Sequence, residues 1–479
     1  MASRLGKGSG RAVLEVLFVM LFTAFLTSVS FAAKTDSRLD MLEEALKKQQ
    51  KQIEEQQKLI EQLRKEVANR QQAPATVNAG EKTEPHPADA GKGSGEALKI
   101  QGAVSDFFKN LKNPALTFVL NSFYYGSSLN ERSLKSRGIT GFSSTGLDQR
   151  KGFNIDEFSV AAFAPVDDYF DLFGVVSFKE EGSSIEEAYF NTRALPANLR
   201  LKGGKFKSQF SVHNEMHPHE WDFTDTALVY KGFMGKDGIM EKGAQLTWRP
   251  ALPLKPFFGI ELLQGENATI FQQDSTGGPH AFTAFAKFTQ PLGQHSSLYF
   301  GPYVINGRTA TDSVADGTFF QGNSTLSGFE TIYEWKPSEN RGLTVQGEYM
   351  WRKQQGDLQD VAAGTTDRLL RSQDGIYIQS LYQIGKWRVG ARYDRLNLLT
   401  DTYRLAGVQQ NFDNPCPWRL TGALEFNPSE FARFRFQYSY DRSGGGSPAY
   451  GGGTRTNNEF YLQMILAIGA HLEPKGQRD

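Results

Sequence analysis

The hydrophobic period of the chain changes near residue 115. Between Leu39 and Val67 apolar and amide side chains recur at alternating spacings of three and four residues, whereas from Leu116 onward apolar and polar positions alternate. The first pattern is typical of a coiled-coil helix, and the second is typical of β-strands with one apolar face. The sequence therefore predicts an N-terminal helical segment followed by a long all-β region.

The β region contains sixteen segments of alternating polarity, each about ten residues long, which is the length of a tilted membrane-spanning strand. Their ranges are 115–125, 152–164, 169–178, 184–193, 198–206, 244–250, 256–265, 281–288, 297–305, 327–335, 343–353, 375–383, 386–396, 418–426, 432–441 and 458–470. The fold class we predict is an all-β transmembrane barrel of about 16 antiparallel strands, preceded by an α-helical coiled coil. A barrel of about this size encloses an aqueous channel.

The connections between these segments alternate in length. Long connections such as 208–238 and 397–417 follow odd-numbered segments, and short turns containing proline, such as 336–340 and 427–430, follow most even-numbered segments. Long loops at one end and short turns at the other are typical of outer-membrane barrels. A soluble β-sandwich is the alternative, but it has no reason to sort its loops in this way or to place aromatic residues at strand ends.

Composition agrees with a barrel that has a wet interior. The 479 residues include 48 glycines, 36 phenylalanines and one cysteine, Cys416, which excludes disulfides within the chain and four-cysteine metal sites. Mean hydropathy is -0.45, too polar for a bundle of transmembrane helices. The 53 basic and 53 acidic side chains give a net charge of zero, which argues against a nucleic-acid partner.

The N-terminal region divides into three parts. Residues 1–32 have a basic start, an apolar run and a small-residue cleavage site, and they are predicted to be a signal peptide, with a signal anchor as the alternative. Residues 33–70 are predicted to form a periplasmic coiled coil, or else a single solvated helix. Residues 71–112 are predicted to be a linker and lead-in, 113–471 the barrel and 472–479 a C-terminal tail.

Several motifs carry a resemblance to a known family. The stretches NIDEF (154–158), EEAYF (186–190), LRLKGGKF (199–206), HPHEWDF (217–223) and QMILAIGAH (463–471) resemble the phosphate-selective porin O/P superfamily of Gram-negative bacteria. The resemblance covers roughly residues 113–471. It implies a trimeric 16-stranded outer-membrane porin that passes small anions.

The candidate pore residues are basic side chains on the polar face of the strands. Residues 1–96 hold 14 basic and 13 acidic side chains, which leaves 39 and 40 for the remainder, so the lumen is not uniformly basic. We expect a basic wall because arginine facing lipid at mid-membrane costs about 2–4 kcal/mol. The alternative is a set of ordinary salt bridges in a solvated wall. The predicted basic wall comprises Arg388, Arg392, Arg419, Arg433, Arg435, Arg200 and Lys202.

The longest loop, 208–238, is predicted to fold inward and narrow the pore. Its candidate constriction residues are Glu215, Glu220, Asp222, Asp225 and Trp221. Acidic groups facing the arginines across a narrow gap would create a transverse field that sorts solutes by charge.

The same loop contains three of the seven histidines, His213, His217 and His219, which together with nearby carboxylates offer ligands for zinc or another divalent ion. The spacing matches no strong metal motif. A rigid, hydrogen-bonded loop is the preferred interpretation.

The predicted function is that of a passive porin with weak anion preference, located in the outer membrane and in contact with its lipid, assembled as a homotrimer. No catalytic motif is recognisable, and no cofactor is expected. Two alternatives stay open at this point. They are the barrel sheath of a porin–cytochrome electron conduit and a coiled-coil tether of the outer membrane.

Overall fold

The computed structural model describes residues 115–143, 146–180, 182–271, 277–310, 318–412, 414–446 and 456–469. The signal peptide, the coiled coil, the linker and the C-terminal tail lie outside these residues and stay predictions. Among the described residues, no helix has the length and apolar character needed to span a membrane.

The described β-region forms a closed antiparallel barrel. Sixteen strands pair with their neighbours in chain order, and β1 hydrogen-bonds both to the next barrel strand and to the last one, which closes the cylinder. Their bounds are β1 Ala115–Ser127, β3 Gly152–Pro165, β4 Phe170–Lys179, β5 Gly182–Thr192, β6 Leu199–Lys207, β7 Met240–Trp248, β8 Phe257–Leu263, β9 Ala281–Pro291, β10 Ser296–Thr309, β11 Thr318–Ser338, β12 Arg341–Asp360, β13 Thr365–Ile384, β14 Trp387–Leu405, β16 Trp418–Ser429, β17 Ala432–Asp441 and β19 Asn457–Gly469. All sixteen segments predicted from the alternation are strands of this barrel, so the barrel prediction is confirmed.

The remaining described elements are short. Strand β2 (Arg137–Ile139) pairs with β18 (Gly444–Gly446), and β15 (Val408–Gln409) extends the end of β14. The helices are α1 (Glu131–Ser136), α2 (Val212–Glu215) and α3 (Leu228–Phe233), and there are 3-10 turns at Pro196–Asn198 and Pro218–Glu220. Most of these elements lie in connections at the long-loop end of the barrel.

Strand β17 shows how the sequence sets the two faces of the wall. Phe434 and Phe436 are each 45% exposed on the outside, while Arg435 and Gln437 between and after them are 2% and 0% exposed inside. Because side chains alternate across a strand, an apolar outer face and a polar inner face follow directly from the period of two. The wall therefore suits lipid outside and polar groups inside.

Four strands are longer than predicted. Strands β11 to β14 span 21, 20, 20 and 19 residues, so much of the predicted loops 306–326, 354–374 and 397–417 is paired strand. Beyond Trp351 both faces of β12 carry polar side chains, from Arg352 to Gln355, and the apolar alternation disappears although the backbone pairing continues. The backbone pairing continues beyond the alternating apolar residues, because these ends of β11 to β14 extend past the apolar band on the outside of the barrel.

Candidate functional site

Residues 208–239, here called the inward segment, enter the barrel from the long-loop end between β6 and β7. Most of the segment is buried, including α2 and α3. Its side chains and backbone contact inward-facing residues on strands from β3 to β19. The segment therefore occupies the lumen.

Hydrogen bonds within the segment fix its local shape. The Ser211 hydroxyl accepts a bond from the Asn214 backbone N–H at 3.1 Å and caps α2, as hydroxyl residues commonly do. The Asn214 amide donates to the carbonyls of Ser208 (2.8 Å) and Ile239 (3.0 Å), and its oxygen accepts from the Ile239 N–H at 2.9 Å. Asn214 thus joins the two ends of the segment where they enter the barrel.

The arginine wall consists of Arg388, Arg392, Arg419, Arg433 and Arg435 on β14, β16 and β17. Asp225 of the inward segment binds Arg419 Nη1 at 2.6 Å and Arg392 Nη2 at 3.0 Å. Asp222 binds Arg388 Nη2 at 2.5 Å. The predicted acidic loop and arginine wall are therefore in direct contact, rather than facing each other across a gap.

These ion pairs leave the arginines unequally exposed. The side chains of Arg392 and Arg419 are each 1% exposed, whereas those of Arg388 and Arg433 are 20% and 28% exposed. Although burial opposes ionisation, Arg419 and Arg392 hold the pKa of Asp225 well below its usual range. Arg388 and Arg433 are the members of the wall that are partly open to solvent.

Carboxylates also fix the arginines from the wall itself. Glu425 on β16 contacts Arg435 Nη2 at 2.6 Å and Arg388 Nη1 at 3.1 Å, and Asp394 accepts from Arg392 Nε at 2.9 Å. Arg435 also donates to the Trp221 carbonyl at 2.8 Å. The arginines thus form a network of ion pairs between the wall and the inward segment.

A second wall is acidic and is shaped by two β-bulges. Pairing of β1 with β3 skips Asp156, and pairing of β4 with β5 skips Glu186, so that each bulge breaks the strict alternation. Glu186 and Glu187 are consequently both buried, as is Glu157. We call Glu157, Glu186 and Glu187 the glutamate wall.

The glutamate wall holds two of the three predicted histidines. His217 lies with Nε2 2.8 Å from Glu187 and Nδ1 3.3 Å from Glu186, and His219 Nδ1 lies 2.5 Å from Glu157. The Glu220 carboxylate accepts a hydrogen bond from the His217 backbone N–H at 3.0 Å and braces the turn between them. These contacts attach the inward segment to the β3–β5 arc of the barrel.

His213 lies in a different environment from the other two histidines. Its Nε2 is 2.8 Å from the Thr226 hydroxyl, and its ring stacks on buried Trp221 at 5.3 Å between centroids. Burial lowers the pKa of His213 to about 3, and Arg392 and Lys207 act in the same direction, so the ring is neutral at physiological pH. Within the described ranges, no three His, Cys, Asp or Glu residues are grouped to hold a metal ion.

The last two members of the predicted basic wall lie on β6, away from the arginines. Lys202 is buried, with its ammonium 4.6 Å from the centre of the Tyr189 ring. Arg200 is exposed at the short-turn end. Glu215 forms a buried ion pair with Lys287 of β9.

Sequence reasoning missed the carboxylates that receive the segment on the other strands. Glu348 accepts hydrogen bonds from Tyr303 (2.7 Å) and Tyr230 (2.9 Å), and Glu330 accepts from the Val212 backbone N–H at 3.0 Å. Each glutamate occupies the polar face of a predicted strand. The polar face of a strand therefore signals buried acidic side chains as well as the basic ones that were predicted.

Comparison with known proteins adds one relative and several structural likenesses. No protein-family model matches the chain. An outer membrane protein of Vibrio cholerae, OmpT, has a TM-score of 0.47 at 13% identity over 75% of this chain and 99% of that structure. The corresponding values are 0.46, 10%, 74% and 99% for an anion-selective porin from Comamonas acidovorans, and 0.45, 13%, 74% and 96% for the outer membrane channel DcaP of Acinetobacter baumannii.

The sequence relative is an uncharacterized protein of Aquifex aeolicus. The two proteins are 32% identical over 391 residues, which is 77% of this chain and 81% of the relative. The chain belongs to the same protein family as this Aquifex aeolicus protein.

Proposed function

We propose that the protein is an outer-membrane channel through which small hydrophilic solutes diffuse passively. The observation that carries this proposal is the closed 16-stranded barrel with an apolar outer face, a polar lumen and an inward segment attached to the wall. Barrels of 16 to 18 strands are wide enough for an aqueous passage. We propose that the long-loop end faces the outside of the cell and the short-turn end faces the periplasm, as is usual for outer-membrane barrels.

The inward segment limits the size of the solutes that can pass through the proposed channel. Its buried contacts with the arginine wall and the glutamate wall show that it fills part of the barrel cross-section. A low single-channel conductance and a small exclusion limit follow, because ion flow depends on the narrowest open area. The segment also takes up the space that a cytochrome would need inside an electron-conduit sheath, which favours the channel over that alternative.

We propose a weak anion preference. Asp222 and Asp225 neutralise much of the arginine wall, so a strongly basic, phosphate-specific lumen is not the arrangement that these contacts favour. Arg388 and Arg433 keep part of their guanidinium surface in contact with solvent and would attract small inorganic or organic anions.

Planar-bilayer recording tests this proposal. In asymmetric KCl we expect small, stable conductance steps and a reversal potential on the anion side of zero. Replacing Arg388→Gln and Arg433→Gln together should shift the reversal potential toward cations, whereas Arg193→Gln, an exposed arginine near a short turn, should leave it unchanged. Absence of conductance from correctly folded protein would refute the channel, and an unchanged reversal potential in the double variant would refute the role of the two arginines.

A further inference from the structure

The outer face of the barrel carries a polar, basic area where β10 to β13 approach the long-loop end. Register pairs Thr325 of β11 with Lys353 of β12, and Asn323 with Gln355. Arg308 of β10 lies directly opposite Asn323. Because side chains directly opposite one another share a face, these groups form a patch on the outside of the barrel.

The patch encloses a shallow cavity of about 450 Å³. The cavity is lined by Asn323, Thr325, Lys353, Gln355 and Arg368. Thr325 accepts a hydrogen bond from Asn306 at 2.6 Å, and Arg368 contacts Asp357 at 3.3 Å in an exposed pair. Exposed ion pairs contribute little, so Arg368 is readily available to another anion.

The height of the cavity places it at the membrane surface. Trp351 lies two residues before Lys353 on the same outward face, about 7 Å along the strand toward the middle of the barrel. Its indole is 42% exposed and donates to the Ser372 hydroxyl at 2.9 Å. Tryptophan with an apolar body and a bonded N–H is typical of the boundary between hydrocarbon and headgroups. The cavity therefore lies at the level of the headgroups in the outer leaflet.

The chemistry of the cavity suits phosphate. Lys353 and Arg368 supply charge-assisted donors, and Asn323 and Gln355 supply amide donors. Asp357 is an acidic residue beside Arg368 among the described residues. Basic pockets at the membrane surface recognise anionic headgroups. We propose that this cavity binds the phosphate of a lipid headgroup in the outer leaflet.

Quenching of tryptophan fluorescence by brominated lipids tests this site through the difference between the wild type and the cavity variants, because Trp351 lies next to the cavity. The protein is reconstituted in phosphatidylcholine vesicles that contain either brominated phosphatidic acid or brominated phosphatidylcholine. The variants are Lys353→Gln, Lys353→Gln with Arg368→Gln, and a control, Arg132→Gln with Lys135→Gln, which removes two charges from the exposed helix α1. Inorganic phosphate is added in a further arm, against chloride at equal ionic strength.

We expect the wild-type protein and the control to prefer phosphatidic acid equally. The preference should fall about fivefold for each cation removed from the cavity, and inorganic phosphate should compete no better than chloride. An equal preference in the wild type and the double cavity variant would overturn the proposal, and so would displacement of the lipid by inorganic phosphate alone. The readout requires no ion conduction, so the result is independent of the proposed channel function.

Discussion

At the scale of single residues, close contacts between charged or ionisable side chains join the inward segment to the barrel wall. Asp225 lies between two guanidinium groups on different strands, at 2.6 Å from Arg419 and 3.0 Å from Arg392. His217 lies between two carboxylates that a β-bulge turns inward together. The inward segment places acidic side chains against the arginine wall and histidines against the glutamate wall.

Asp225 is the residue whose loss should matter most. Asp225→Asn would leave the buried Arg392 and Arg419 with Asp394 as their remaining shared carboxylate. Removing one member of a buried ion pair costs about 3–5 kcal/mol. We expect a lower urea midpoint and a higher single-channel conductance as the segment loosens. Glu266→Gln is the matched control, because its partner Lys242 is well exposed and such pairs are worth about 0–1 kcal/mol. Equal urea midpoints in the two variants would contradict this account.

At the scale of elements, the strands and the inward course of residues 208–238 were predictable from the sequence, but the partners that the inward segment binds were not. Every predicted strand is present, because an outer face against lipid imposes an apolar residue at alternate positions, as Phe434 and Phe436 show. The bulge at Glu186 could not be inferred, since one extra residue leaves no mark on composition. The partners of Asp225 and His217 depend on positions far away in sequence, and the period of two carries no information about them.

Shortening the inward segment tests its role as an element. Replacing residues 210–237 with a Gly-Ser link should raise single-channel conductance and weaken charge selectivity. The reason is that the lumen widens. The opposite charges of the glutamate wall and the arginine wall, both then exposed to solvent, largely cancel. A matched change at residues 361–364, the turn between β12 and β13, should leave conductance unchanged. Wild-type conductance in the shortened protein would mean that the segment does not limit the flow of ions.

At the scale of the whole molecule, the described barrel closes through its own hydrogen bonds. Strand β1 pairs with β19 from Thr117 to Ser127. We therefore expect membrane insertion to depend on the strands of this barrel. The homotrimer and the coiled coil at 33–70 stay predictions from the sequence.

Deleting residues 33–96 tests membrane insertion and oligomerisation separately. We expect the deletion variant to insert into the membrane, because every described barrel strand is retained. It should show the same change in SDS-gel mobility on heating as the full chain. If the coiled coil drives association, the variant should sediment as a smaller species than the full-length protein. Loss of insertion would contradict the division into barrel and N-terminal region, and an unchanged oligomer would place the trimer contacts on the barrel.

The long reach of the inward segment has a consequence for the order of assembly. Thr224 hydrogen-bonds to Gln463, 239 positions later in the chain, and Asp225 binds Arg392 and Arg419, which also come much later than the segment itself. None of these partners is in position until the final strands have joined the sheet. Docking of this part of the segment onto the later strands is therefore expected late in folding, after a stage in which the barrel is wider and leakier.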